Sequence, residues 1–499
     1  MSGDLTAATL QDDPRTVAGV AHAVREHRHI LVVWTAMLAW SAAMFETARA
    51  DYLDYRLGRF DLGNMVQAVW STANGRVLEG TNVSGEQVSR LASHVDPILA
   101  LLAPLWLVAP SPLTLAAVQV GAVALGALPV FWLARRHLGS GALAVVLAVS
   151  YLLYPWLAWT ALDAIHPVSL GIPLLLFCVW FLDGDRLAPF AVCAVLTAST
   201  GELMGLTIGA LGVWYALARG RRAVGLLVAT AGLAWSFLAL LVVVPAFSGG
   251  ASDFYGFYDK VGGSPRGVAD TAVTDPAAIV AQVFDPNVLL YVVALAAPLA
   301  GLFLLAPALA AVALPQALVN ALADPAGPID PRQHYLAAVV PFLVAATVFG
   351  IARLRAEARG PAAVAVLGLS LAMSVVFGPL AGGGASAPLW YQVDLSPVHI
   401  AALDRAVAVI PAGEAVSVSN RAGAHLAARR YVHSLPRIGN ARWILLDTQD
   451  RWLPDDQLPV LAERSQAEID ALRTRIASDP GWRQVFAQDD VYVYRRNAG

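Results

Sequence analysis

The sequence predicts an α-helical polytopic membrane protein with a small extracytoplasmic α/β domain at its C-terminal end. Three observations lead to that class. Of 499 residues, 58% are hydrophobic and only 14% are charged, too little polar surface to cover a water-soluble globule of this size. Apolar runs of roughly spanning length follow one another from about residue 30 to about residue 380. Beyond about 385 the pattern changes to short β-branched and aromatic runs separated by turn formers, the signature of strands. The formal net charge of −3 leaves no basic face for a phosphate backbone, so no nucleic-acid partner is expected. Cys178 and Cys193 both fall in apolar runs and read as small buried hydrophobes.

The first run, HILVVWTAMLAWSAAMF, follows a polar stretch containing Arg25, His27 and Arg28, and no small-residue cleavage site comes after it. It reads as a retained first helix with a cytoplasmic N-terminus. A first outer loop over 50–112 is expected next, then runs at about 113–134, 141–160, 167–182, 187–201, 203–218 and 223–245. A second set falls at about 286–305, 307–322, 334–351 and 361–380. The short loops RRHLG, DGDR, RGRR and RLRAEAR carry basic residues and are expected inside. ILALLAPLWLVAP at 98–110 is short and holds two prolines, so it reads as a helix lying at the interface. Treating it so gives about eleven crossings within a multi-pass domain over 1–384, with the polar clusters on the outer side.

Residues 385–499 then form the outer α/β domain. AVSVSN, YVHSLP, ARWILLD and DDVYVYRR read as strands, and LAERSQAEIDALRTRIA as an amphipathic helix.

Ionisable groups close to a membrane are costly and mark either pairing or function. In DYRLGRFDLGNMVQ, Asp54 and Asp61 sit beside Arg56 and Arg59; Asp61 precedes the helical apolar pattern Leu62, Met65, Val66, Val69 and Trp70, which puts it in the first turn of a helix lying against the membrane. Substrate-binding candidates are Arg56, Arg59, His94, Asp96, Asp163, His166, Glu202, Arg332, His334 and Tyr335. His94 and Asp96 precede the interfacial run, and Asp163 and His166 share one tight turn. Glu202 is the one charge between Arg186 and Arg219 and needs a partner, for which Arg56, Arg59, His166, His334 or a bound ion are the candidates. His334 and Tyr335 open a helix after Arg332 and suit an anionic headgroup. One carboxylate base with further carboxylates, histidines and arginines fits chemistry on a lipid phosphate: a hydroxyl must be deprotonated and a departing phosphate must have its charge taken up.

The stretch FDLGNMVQAVWSTANGRVLEG with SHVDPILALLAPLWLVAPSPLTLAAVQVGAVALGALPVFWLARRHLG resembles the bacterial membrane family called domain of unknown function 2079. The resemblance continues through YPWLAWTALDAIHPVSLGIPLLL, Gly201 and Glu202, QHYLAAVVPFL and VSVSNRAGAHLAARRYVHSLP, nearly the whole chain. That family is similar in turn to the GT-C superfamily of polyprenyl-phosphate-dependent glycosyltransferases. The resemblance implies a GT-C-like fold, a catalytic aspartate at Asp61, a polyprenyl-phosphate sugar donor and a cell-envelope glycan or protein acceptor. It also implies an active site facing away from the cytoplasm. The loop carries FDLG where many such enzymes have adjacent acidic residues, and Leu203 stands where an acidic neighbour of Glu202 is expected. A divalent cation, Mg²⁺ or Mn²⁺, is therefore an option and not a requirement. Besides an inverting glycosyltransferase, a lipid or polysaccharide transporter or flippase and a non-catalytic envelope-assembly scaffold remain in view. A transporter needs polar residues through both halves of the membrane, and here they gather on one side.

Overall fold

The computed structural model describes residues 14–250, 253–324, 327–380, 395–454 and 461–497. The expected domain boundary at 384 and 385 lies outside the described residues. Among the described residues four helices are long and apolar enough to cross a membrane: His27–Leu53, Pro112–Leu138, Arg222–Ser248 and Ala356–Phe377. The chain is thus a multi-pass membrane protein, and its C-terminal region contains a small β-sheet domain.

The remaining runs are interrupted. Gly141–Leu152 with Pro155–Leu162 and Pro276–Val283 with Pro286–Leu299 bend by 49° and 47°. Pro155 and Pro286 lie at these breaks, where proline lacks a helix donor and disfavours helix at the residue before it. Pro167–Asp183, Leu187–Ala198, Met204–Ala218, Pro307–Leu322 and Val340–Ala352 are shorter apolar helices. Against about eleven expected crossings, the described residues hold four single helices long enough to span alone, or six spans if each bent pair is one. Met204–Ala218 lies against Arg222–Leu238 on a glycine seam: a Cβ on Gly205 would meet the Gly232 carbonyl at 2.3 Å, and one on Gly212 the Ala229 nitrogen at 2.5 Å. Small residues let the two backbones touch.

Residues 97–108 form a 3-10 turn and a short α-helix. Leu99, Leu102 and Trp106 pack on Val66 and Val69 of the preceding loop, while Leu107 and Val108 are 70% and 85% exposed. This is the one-sided burial expected of an interfacial segment. Within the loop, a π-helical turn Arg59–Gly63 runs into the helix Asn64–Ala73, and β1 (Glu79–Thr81) pairs antiparallel with β2 (Gln87–Ser89).

The C-terminal region opens with the helix Pro397–Val409 and continues through β3 (Val416–Val418), β4 (Val432–Ser434), β5 (Trp443–Asp447), β6 (Trp452–Pro454), β7 (Leu461–Glu463), the helix Gln466–Ser478, β8 (Trp482–Gln488) and β9 (Val491–Arg496). One five-stranded sheet has the order β4-β3-β5-β9-β8, with β3 parallel to both neighbours and β9 antiparallel to both of its own. Every residue of β3, β5 and the edge strand β4 is buried, so this side of the sheet is covered on both faces. The helix Gln466–Ser478 starts on a reciprocal Ser465 and Glu468 cap.

This domain sits directly on the first long loop. His425 is sandwiched between Tyr52 and Tyr55, with ring centroids 4.1 and 4.0 Å away, and its Nε2 donates to the Tyr52 carbonyl at 3.0 Å. The Tyr55 hydroxyl donates to Asp404 at 2.8 Å, and the Gln67 amide reaches the carbonyls of Arg429 and Arg430 at 3.1 and 2.9 Å.

Candidate functional site

A cavity of about 660 Å³ opens between the first long loop, the turns at 163–166 and 202–203 and the segment 328–335, with residues 247–250 and 254–258 lining one side. Asp61, His94, Asp163, His166, Glu202, Arg332, His334 and Tyr335 all line it, so segments far apart in the chain converge there. Trp159, Phe254, Phe257 and Tyr258 add aromatic wall.

The centre is a linked set of one carboxylate, two stacked imidazoles and a second carboxylate. Asp163 accepts at Oδ2 from the backbone nitrogen and from Nδ1 of His334, both at 2.9 Å. Nδ1 of His166 lies 2.6 Å from the Asp163 carbonyl; a carbonyl only accepts, so this nitrogen carries the hydrogen and Nε2 is the one that exchanges protons. That Nε2 faces Asp61 Oδ1 at 3.8 Å. The two rings stack with centroids 3.6 Å apart and planes 12° from parallel. Gln119 fixes the turn from behind, accepting from the His166 backbone nitrogen at 2.8 Å and donating to the Thr160 carbonyl at 2.9 Å.

Burial sets the protonation preferences. Desolvation raises the Asp61 carboxyl above its ordinary range, partly offset by His166. Burial acts the same way on Asp163, but the charge of His166 and the hydrogen bonds and charge of His334 outweigh it and hold Asp163 below its usual range. Burial, then the neighbouring His166, lowers His334 to about 4. One carboxylate therefore stays ionised as an anchor, while Asp61 is tuned toward accepting a proton nearer neutrality.

A second set lies on the cavity's other side. Glu202 faces His94 Nδ1 at 3.1 Å and accepts from the Val95 nitrogen at 3.0 Å, and the His94 ring lies against Phe254 at 4.5 Å. Burial raises the Glu202 carboxyl, but His94 and the backbone donors prevail and bring it down to about 2. None of the side chains expected to pair with Glu202 does so; His94 takes that place. Arg90 pairs with Asp96 at 2.7 Å and lines the cavity, whereas Asp96 stands behind it and precedes the turn 97–102.

Two expectations change. Arg56 is not part of the cavity wall; it pairs with Asp51 at 3.5 Å and Asp54 at 3.6 Å. Arg59 borders the cavity, but its guanidinium is buried and donates to the Thr81 carbonyl at 2.6 Å, the Ser434 hydroxyl at 2.8 Å and the Val432 carbonyl at 3.0 Å. Its hydrogen bonds hold the loop to the C-terminal domain. Arg332 makes a bidentate pair with Asp330, the closest approach 2.7 Å. Arg90 and Gln119 escaped sequence reading because neither stands in an unusual local pattern. His334 and Tyr335 open a 3-10 turn, His334–Leu336, ahead of the helix Val340–Ala352.

Donor atoms of Asp163, His166 and His334 lie within 4.8 Å of one another, close enough to hold a metal ion. Two imidazoles and a carboxylate suit a borderline ion such as Mn²⁺; Mg²⁺, which favours oxygen ligands, matches this set poorly. Parallel rings direct their in-plane lone pairs side by side, so joint ligation of one ion requires one ring to turn.

Fold and cavity together define a multi-pass membrane protein with a buried carboxylate and histidine cluster of enzymatic potential. The chain belongs to the family described as "Predicted membrane protein (DUF2079)", which matches residues 53–493. A search of curated proteins finds no match.

Proposed function

We propose that this protein is a GT-C-type inverting glycosyltransferase that moves a sugar from a polyprenyl-phosphate donor to a cell-envelope acceptor at the outer membrane face. The observation that carries this reading is the placement of Asp61 in the first long loop, turned into a cavity beside the membrane helices with His166 Nε2 at 3.8 Å. In this reading Asp61 accepts the proton of the acceptor hydroxyl as its oxygen attacks the anomeric carbon. The carbon–oxygen bond to the phosphate breaks on the opposite face, and the lipid phosphate leaves with the electron pair. His166 stabilises the Asp61 carboxylate and can take the proton onward through Nε2. Arg90, Arg332 and His94 line the same cavity and take up charge on the departing phosphate, the role the sequence suggested for Arg56 and Arg59. A divalent ion held by Asp163, His166 and His334 would add positive charge beside that phosphate, and with it bound His166 Nε2 would be a ligand and would no longer take the proton. The N-terminus is cytoplasmic and the C-terminal domain extracytoplasmic in this arrangement.

The test is transfer by purified full-length protein from a panel of labelled polyprenyl-phosphate hexoses and pentoses to isolated envelope fractions. Transfer lost in Asp61→Asn but retained in Arg56→Ala is the expected result. Full turnover by Asp61→Asn rejects the base assignment. Donor movement across vesicles without transfer puts a transporter in its place.

A further inference from the structure

The turn that carries Asp61 lacks a cap of its own. Gly58 precedes it in extended conformation and has no side chain with which to cap, yet the first N–H groups of any helical turn need acceptors. The acceptors come from the C-terminal domain. The Arg59 nitrogen donates to the Asn420 carbonyl at 2.8 Å, and the Phe60 nitrogen donates to the Asn420 side-chain oxygen at 3.0 Å. The turn is then closed by the Gly63 nitrogen donating to the Gly58 carbonyl at 3.1 Å. Asn420 lies two residues past the end of β3, directly before the turn Arg421–Leu426, and is itself buried.

The seam is shaped for this contact. A Cβ on Gly58 would lie 2.5 Å from the Asn420 amide nitrogen, and one on Gly423 would lie 2.3 Å from the Arg59 Cβ. The Arg59 guanidinium locks the same turn to β4 through Val432 and Ser434. Asp61 follows these two anchored residues and reaches the other way, to His166.

We propose that Asn420 is a positioning residue for Asp61: it caps in trans the turn that aims this carboxylate, which makes the C-terminal domain a working part of the cavity. The inference rests on the reading of Asp61 as the base. A shift of about 1 Å in a reacting group can cost about 10²-fold in rate, so loss of the cap acts on turnover while donor binding, which uses other walls of the cavity, is spared.

Two readouts on purified full-length protein test it. Asn420→Ala is expected to raise amide hydrogen exchange across residues 59–64 by about 10-fold, the equivalent of one lost cap, and to lower kcat by about 10-fold or more with the donor KM within about 2-fold. Asn420→Asp keeps the acceptor oxygen and is expected to restore most of both. Unchanged exchange in Asn420→Ala overturns the cap, and equal kcat loss in Ala and Asp variants overturns the positioning role. If wild-type protein transfers from no donor, the base assignment and the positioning of a base fall together, while the exchange comparison still accepts or rejects the trans cap itself.

Discussion

His94 and Glu202, 108 residues apart in the chain, meet at 3.1 Å across the cavity wall, with the Val95 nitrogen on the second carboxylate oxygen at 3.0 Å. The isolated glutamate of the apolar run is therefore an anchor that orients an imidazole. Its carboxyl, ordinarily near 4.5, is held at about 2. A depressed carboxyl contributes stability fully above the unfolded value and loses it as pH falls toward the folded one. Melting temperature in detergent should thus fall more steeply for wild type than for Glu202→Gln between pH 4.5 and 2, with the variant less stable at pH 7. Parallel curves would show that the pair adds nothing.

Asp61→Asn should lower kcat by roughly 10²-fold or more, the usual scale for a lost acid or base, and leave donor binding nearly unchanged. Because burial raises the Asp61 carboxyl, its base form disappears on acidification at a pH above the ordinary carboxylate range. The acid limb of the wild-type kcat profile should sit there. A limb at or below pH 4 would detach it from Asp61.

The arginines should separate by role. Arg90→Ala and Arg332→Ala are expected to weaken donor binding, with lysine restoring part of it. Arg56→Ala should leave donor binding unchanged while costing stability, because it takes a cation from the buried Asp51. Arg59→Ala leaves three buried acceptors unmatched and should destabilise the protein by about 3 kcal/mol. Thermal denaturation beside donor-binding isotherms distinguishes these outcomes.

Chelation followed by ion replacement examines the histidine cluster. If an ion sits at Asp163, His166 and His334, Mn²⁺ should restore more activity than Mg²⁺ after EDTA, given the two imidazoles. His334→Ala should abolish that difference. Activity indifferent to chelator would remove the ion from the reaction.

Topology is open to labelling on intact cells. Cysteine at Arg135 or Arg222, both exposed at helix ends, should resist an impermeant maleimide, while cysteine at Gln449 should react. The reverse pattern would invert the protein in the membrane.

Much of this was legible in the sequence. Apolar runs fixed the helices because burial in lipid demands them, and β-branched runs such as WILLD announced the sheet. Asp163, His166 and His334 stood out because ionisable groups are rare near membranes, but their stacking depends on a turn meeting a segment 171 residues away, which no local pattern encodes. Arg59 misled for a related reason: charge beside a candidate base suggests substrate, whereas the acceptors that bury it come from Thr81, Val432 and Ser434. The helix Pro397–Val409 and the β6 and β7 pair also escaped notice, the latter because WLP and LAE lack the β-branched residues that mark β3 and β4.

The bond between Phe60 and Asn420 joins residues 360 positions apart, and ribosomes make proteins in one direction. Asp61 is therefore synthesised and delivered to the membrane long before the residue that caps its turn exists. Throughout that interval a half-made chain holds its carboxylate in an unfastened loop. Closure of that turn thus waits on the completion of translation, and chains that stall or are cut before residue 420 carry Asp61 without the contact that fastens it.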